Sequence, residues 1–174
     1  MRFPIPHPLD VWSDWALALV KSLDISAVPA PHYFPPTVLT VSPGTLSAGT
    51  AADLAAPGGS SVVVTEVVNT PGFTVEVECR GVTYPLGLVV YGYYNGNAAH
   101  EVDVEAYNYD TAAWDVYGTM PSVSSLKRYS FILGRSPDYV SGHVSKMRFN
   151  HVSGGVGGHT LNLDYCAFFG HRTV

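Results

Sequence analysis

Two histidines, His151 and His159, bracket a glycine-rich stretch in NHVSGGVGGHTLNLDY, and Asp164 follows inside an otherwise apolar run. Imidazoles and carboxylates are the groups from which zinc sites and acid–base pairs are built. Zinc wants four ligands, or three and an open position, and no spacing here supplies a third beside the two histidines. A second set of ionisable groups lies in HEVDVEAYNY, where Glu101, Asp103 and Glu105 alternate with Val102, Val104 and Ala106. Paired carboxylates serve glycoside hydrolysis. Strict alternation instead places these three on one side of one strand, the pattern of a solvated or subunit-facing strand side. The chain carries no Gly-x-Ser-x-Gly elbow, phosphate loop, HExxH or Cys-x-x-Cys. It reads as a non-enzyme.

Aromatic side chains offer a different chemistry. VYGYYNGN carries Tyr91, Tyr93 and Tyr94, and AYNYDTAAWDVYG carries Tyr107, Tyr109, Trp114 and Tyr117. Tyr and Trp at the lips of a sheet stack on sugar rings or anchor interfaces, and they also fill cores. Tyr91, Tyr93 and Trp114 are the candidates for a glycan-binding surface. Trp114, just past the Asp110-Thr111 turn, is the best placed to form an exposed platform.

The elements that must position these residues are strands. Period-two alternation predicts strands over 61–69, 73–81, 86–94, 100–108, 113–118, 126–133, 143–151 and 159–169, with one or two more between 37 and 55. Asn95-Gly96-Asn97 and Thr70-Pro71-Gly72 carry turn chemistry, the first reading as a hairpin. Such regular spacing implies an all-β antiparallel sandwich, with a jelly roll as the expected version. For the glycine-rich stretch, a hairpin with His151 opposite His159 puts Phe149 against Leu161 and Met147 against Leu163 on one apolar face. The other face then opposes Lys146 to Asp164, and this cross-strand ion pair is one reading of that aspartate.

Before the sandwich the text changes. Residues 9–23, LDVWSDWALALVKSL, hold the only helical pattern, with Trp12, Trp15, Leu19 and Leu23 on one face. Residues 25–58 are rich in Pro, Ala and Gly and predict an extended arm. Three parts result: a docking segment over 1–24, the arm over 25–58 and a sandwich domain over 59–174. A short apolar helix on an arm needs something to dock on, so Trp12, Trp15, Leu19 and Leu23 are partner-docking candidates.

Charge narrows the partners. Only 13% of residues are charged, about half the usual share, while 47% are hydrophobic. A surface so poor in charge predicts cover by other subunits, as in a homo-oligomer. The net charge of −5 opposes binding along a phosphate backbone, so no nucleic acid is expected. MRFPIPHPLD does not read as a signal peptide, the longest early apolar run is far short of a membrane span, and two cysteines make no disulfide framework. The expectation is a soluble protein with no membrane partner, assembled in a cytoplasm.

Two resemblances sharpen this. VVVTEVVNTPGFTVEVECRGV, GLVVYGYYNGNAAHEVDVEAYNYDTAAWDVYG and VSKMRFNHVSGGVGGHTLNLDYCAF together resemble a galactose-binding-type jelly roll of the carbohydrate-binding-module kind over roughly 60–170. In some of these modules an aspartate of the last strand and a glutamate of an early strand hold a structural calcium. The resemblance thus makes Asp164 and Glu66 metal-ligand candidates and calcium the one cofactor to consider. The helix DVWSDWALALVKSL followed by an arm is similar to small tailed-phage virion proteins. That likeness implies a capsid decoration protein or a head or tail appendage, located in the virion, with other virion proteins as partners and a trimer favoured. A carbohydrate-binding module for attachment to a host surface glycan is the alternative.

Overall fold

The computed structural model describes residues 31–134 and 136–171. The helix expected over 9–23, with Trp12, Trp15, Leu19 and Leu23, lies outside the described residues. So does the first part of the expected arm.

Eleven strands follow in chain order: β1 (His32–Phe34), β2 (Pro36–Val41), β3 (Thr45–Ala48), β4 (Val62–Thr65), β5 (Phe73–Arg80), β6 (Tyr84–Asn95), β7 (Glu101–Asn108), β8 (Ala113–Pro121), β9 (Lys127–Ile132), β10 (Val144–His151) and β11 (Thr160–His171). Single 3-10 turns occur at Ala51–Leu54 and Ser136–Tyr139. One sheet has the order β3-β4-β11-β6-β9, with β1 also on β11; the other is β2-β5-β10-β7-β8. The strand pairs are all antiparallel. Residues 32–48, expected as arm with one or two strands, supply β1, β2 and β3 to the two sheets.

Alternation determines what the sandwich buries. In β5, FTVEVECR, the side chains of Phe73, Val75, Val77 and Cys79 are fully buried while Thr74, Glu76 and Glu78 point outward. Val102, Val104 and Ala106 of β7 and Met147 and Phe149 of β10 join them from the same sheet. Leu88, Val90, Leu161, Leu163 and Phe168 close the core from the other sheet. Cys79 and Cys166 are buried free thiols. Burial pushes the Cys79 thiol up to about 12, so neither is a ready nucleophile.

Two connections expected as hairpins cross between sheets instead of turning within one, and the Thr70-Pro71-Gly72 turn crosses as well. β10 pairs with β5 and β7, and β11 pairs with β4 and β6, so the glycine-rich loop spans the sandwich rather than closing a hairpin. Asn95-Gly96-Asn97 and Thr70-Pro71-Gly72 cross in the same way, from β6 to β7 and from β4 to β5. The physical reason is that alternation fixes which face of a strand is apolar, not which strand lies beside it. Met147, Phe149, Leu161 and Leu163 are buried in both arrangements.

The correction reaches Asp164. Lys146 pairs with Glu78 at 3.3 Å, not with Asp164. Asp164 sits where the register of β11 against β6 shifts, between Leu163 and Tyr165, and its Oδ2 accepts a hydrogen bond from the Gly58 amide at 2.9 Å.

Candidate functional site

The outward face of the five-stranded sheet carries a connected polar and aromatic array. Its central rung is set by register: Arg148 of β10 lies opposite Glu76 of β5 on one side and Glu105 of β7 on the other. One rung along, Asn150 lies between Thr74 and Asp103; one rung the other way, Lys146 lies opposite Glu78. Side chains on this face are linked laterally. Arg148 Nε donates to Glu105 Oε2, Asn150 Nδ2 reaches Glu105 Oε1 at 3.5 Å, and Thr74 Oγ1 donates to Asn150 Oδ1 at 3.1 Å. Glu105 is buried by these partners although it points away from the core.

An aromatic cluster closes one end. Trp114 of β8 is paired with Tyr107 of β7, and their rings meet edge to face at 5.2 Å. Tyr109 makes a second edge contact with Tyr107 at 5.0 Å. The Arg148 guanidinium lies 4.5 Å from the centre of the Trp114 ring, which joins the aromatic end to the charged rungs. Asp115, next along β8, accepts from Asn108 Nδ2 at 2.9 Å and from Tyr139 Oη at 2.6 Å. Those bonds, Tyr139 first, hold its carboxyl below the usual carboxylate range and anchor the strand that carries Trp114.

The ionisable groups of this face act on one another. Glu105 is engaged by Arg148 and Asn150. Burial, then the charges of Glu105 and Glu101, pushes the Asp103 carboxyl upward. The hydrogen bond to Glu78 raises Lys146. Acceptors, donors and aromatic edges stand side by side on this face.

The other candidates lie elsewhere. Tyr91 of β6 is on the outward face of the six-stranded sheet, 6.1 Å from Tyr165, with Arg128 at 5.9 Å over its ring. Tyr93 is half-buried two residues further along the same side of β6. Thus Tyr91 and Tyr93 share one face of the sandwich and Trp114 occupies the opposite one. Glu66 and Asp164 are also separated. The pairing of β11 with β4 sets Glu66 beside His159 and Asp164 five residues along, on the order of 15 Å away. They cannot share one calcium ion. Among the described residues no group of three or more His, Cys, Asp or Glu side chains is arranged to hold a metal.

Glu66 instead centres a buried cluster at one end of the sandwich. Its Oε1 accepts from Tyr94 Oη, its Oε2 accepts from the Val156 amide at 2.6 Å, and His151 Nε2 and His159 Nδ1 stand at 3.5 and 3.4 Å. His151 is fully buried, stacked on Phe73 at 5.3 Å, with His100 at 5.1 Å beyond it. Burial lowers the His151 pKa; Glu66 opposes that shift, and His100 and His159 add to it. Parity with Phe149 and Met147 marks His151 as inward-facing in the sequence. Nothing local marks Glu66 or Tyr94 as its partners.

No protein-family model matches the chain, and no curated protein is detectably similar in sequence. Solved structures are similar. A family 29 carbohydrate-binding module superposes with a TM-score of 0.56 at 11% identity, covering 81% of this chain and 90% of its own. The fold is shared with these modules. An aspartate variant of a family 29 module, complexed with mannohexaose, gives a TM-score of 0.52 at 11% identity over 81% of this chain and 93% of its own. A lysine variant complexed with cellulohexaose gives 0.53 at 10% identity over 80% and 90%. Nothing in these comparisons points to a virion protein. The sandwich and its carbohydrate-binding-module likeness, expected from the resemblance over 60–170, are thus found.

Proposed function

We propose that the protein is a non-catalytic glycan-binding module that holds a neutral oligosaccharide along the outward face of its five-stranded sheet. The carrying observation is the junction of Trp114 with Arg148, Glu105 and Asn150. Sugars present apolar C–H faces and rings of hydroxyls, and binding them takes aromatic surface with fixed donors and acceptors beside it. Tyr107, Tyr109 and Trp114 supply the first. Arg148 and Asn150 supply the second, both held by Glu105, with Asp103 and Glu76 on the neighbouring strands, so little freedom of the held side chains is lost on binding. The fold neighbours bound to mannohexaose and cellulohexaose support oligosaccharides of neutral hexoses as the ligand class.

The virion role rests on residues outside the described ones and gains no support from the comparisons. The glycan reading therefore replaces it as the main account, with attachment to a surface glycan as its biological setting. Affinity electrophoresis through gels containing soluble glucomannan or hydroxyethylcellulose tests it. Wild-type protein is expected to be retarded, and Trp114→Ala to migrate as in a gel without polysaccharide. Free migration of the wild type in both gels would reject the reading.

A further inference from the structure

The opposite side of the sandwich carries a hollow of different character. It has a volume of about 270 Å3 and is lined by Tyr33, Pro57, Val89, Tyr91, Arg128 and Tyr165. β6 and β11, paired at Tyr91 and Tyr165, form the floor, and Arg128 stands directly opposite Tyr91 on β9. β1 brings Tyr33 alongside Phe169 at 6.2 Å. Pro57 is held in place because the next residue, Gly58, donates its amide to Asp164. The floor is apolar and aromatic, and the rim carries a guanidinium.

Charge separates this face from the proposed neutral-glycan face. There, Arg148 and Lys146 are both paired with carboxylates. Among the described residues Arg128 makes no ion pair; its recorded contact is with the Tyr91 ring. The nearby carboxylate, Asp164, is only 5% exposed and is bonded to the Gly58 amide. Burial pushes the Tyr165 hydroxyl up to about 12, so at neutral pH the lining contributes a donor and no second charge. The volume suits one pyranose ring, not an extended chain.

We infer that this hollow is a second binding site, separate from the proposed neutral-glycan face, for a single uronic acid ring: the carboxylate pairs with Arg128 and the apolar ring face rests on Tyr91 and Tyr165. Guanidinium and carboxylate match in shape as well as charge, and the Arg128 guanidinium lies 5.9 Å from the centre of the Tyr91 ring. The site is independent of the glycan reading above, because it shares no residue with the Trp114 face.

The test titrates full-length protein with trigalacturonate and with a glucuronate-terminated trisaccharide, monitored by calorimetry, and repeats each titration with the methyl ester of the acid. At least one free acid is expected to bind saturably, its methyl ester at least tenfold more weakly, and affinity to fall as salt is raised. Arg128→Gln is expected to weaken binding of the acid at least tenfold, while Trp114→Ala leaves it unchanged. Tyr91→Phe, which keeps the ring, should retain binding, and Arg128→Gln should keep the wild-type melting temperature, which shows that its loss of binding is not a folding defect. Failure of both acids to bind the wild type, equal binding of acid and ester, or full affinity in Arg128→Gln would each overturn the inference.

Discussion

The guanidinium of Arg148 is shared between two neighbours: it lies 4.5 Å from the centre of the Trp114 ring, and its Nε donates to Glu105. Removing it strands a carboxylate that is only 3% exposed. Arg148→Ala should therefore destabilise the fold by about 2–4 kcal/mol, because a buried charge without its partner is costly. Arg148→Ala combined with Glu105→Gln should recover part of that loss, since the uncompensated charge is then gone. Urea unfolding of the single and double variants checks this. A double variant no more stable than Arg148→Ala would contradict it.

Binding should respond differently from stability on the same face. Asn150→Ala removes a hydrogen-bonding group at the half-exposed rung while leaving the Trp114 stack intact. Oligosaccharide affinity is expected to fall about five- to tenfold, the scale of one well-placed polar contact of about 1–1.5 kcal/mol. The melting temperature should shift by no more than a few degrees. Calorimetry alongside thermal denaturation distinguishes the two effects.

Acidification should loosen the end of the sandwich where Glu66, Tyr94, His100, His151 and His159 meet. Burial holds the folded His151 pKa below its ordinary 6.5. Between the two values the unfolded chain binds a proton that the folded chain does not. The stability contributed by the neutral, buried ring is thus complete above pH 6.5 and is lost as pH falls from 6.5 towards the folded value. His151→Phe, which can still stack on Phe73, should flatten this part of the stability curve. An unaltered slope below pH 6.5 in that variant would show that another group is responsible.

Calcium should play no part at Asp164. With Glu66 engaged by Tyr94 and Val156 and Asp164 by Gly58, a chelator should leave the melting temperature of the wild type unchanged. Asp164→Asn keeps an acceptor for the Gly58 amide and should cost about 1 kcal/mol or less. A chelator-sensitive melting curve would be inconsistent with this arrangement.

The glycine-rich loop makes a demand of its own. A Cβ on Gly155 would stand 2.1 Å from the Val67 carbonyl oxygen and 2.7 Å from Gly72 Cα, both backbone atoms that cannot simply turn aside. Gly155→Ala should lower stability by about 1–3 kcal/mol. Gly157→Ala, where a Cβ meets nothing within 4 Å, serves as the neutral control.

The strands of this fold are legible in its sequence because alternation is local. β5, β7, β10 and β11 each lie within a residue or two of the expected spans, and the inward sides of β5, β7 and β10 match parity throughout. Partner choice is not legible. NHVSGGVGGHTLNLDY satisfies its apolar parity equally as a hairpin or as a crossing between sheets, and only the surrounding strands decide. The same limit hid the Glu66 cluster, whose members come from β6, β10 and three loops. Trp114 was recognisable as a surface aromatic near a turn. Its contact with Arg148, 34 positions away by the numbering of the two residues, follows from the order β10-β7-β8 and from nothing in either segment alone. Aromatic type says nothing of which sheet a strand joins, so the sequence does not separate Tyr91 and Tyr93 from Trp114.

The account stands or falls on whether a neutral oligosaccharide occupies the Trp114 face. Two-dimensional NMR of isotopically labelled protein titrated with cellohexaose and with mannohexaose measures this directly. Saturable shifts are predicted for the Trp114 indole N–H, the Asn150 side-chain amide and the backbone amides of Tyr107 and Arg148, while Tyr91, Arg128 and Tyr165 stay in place. Spectra unchanged by both sugars, or shifts confined to the opposite sheet, would contradict it.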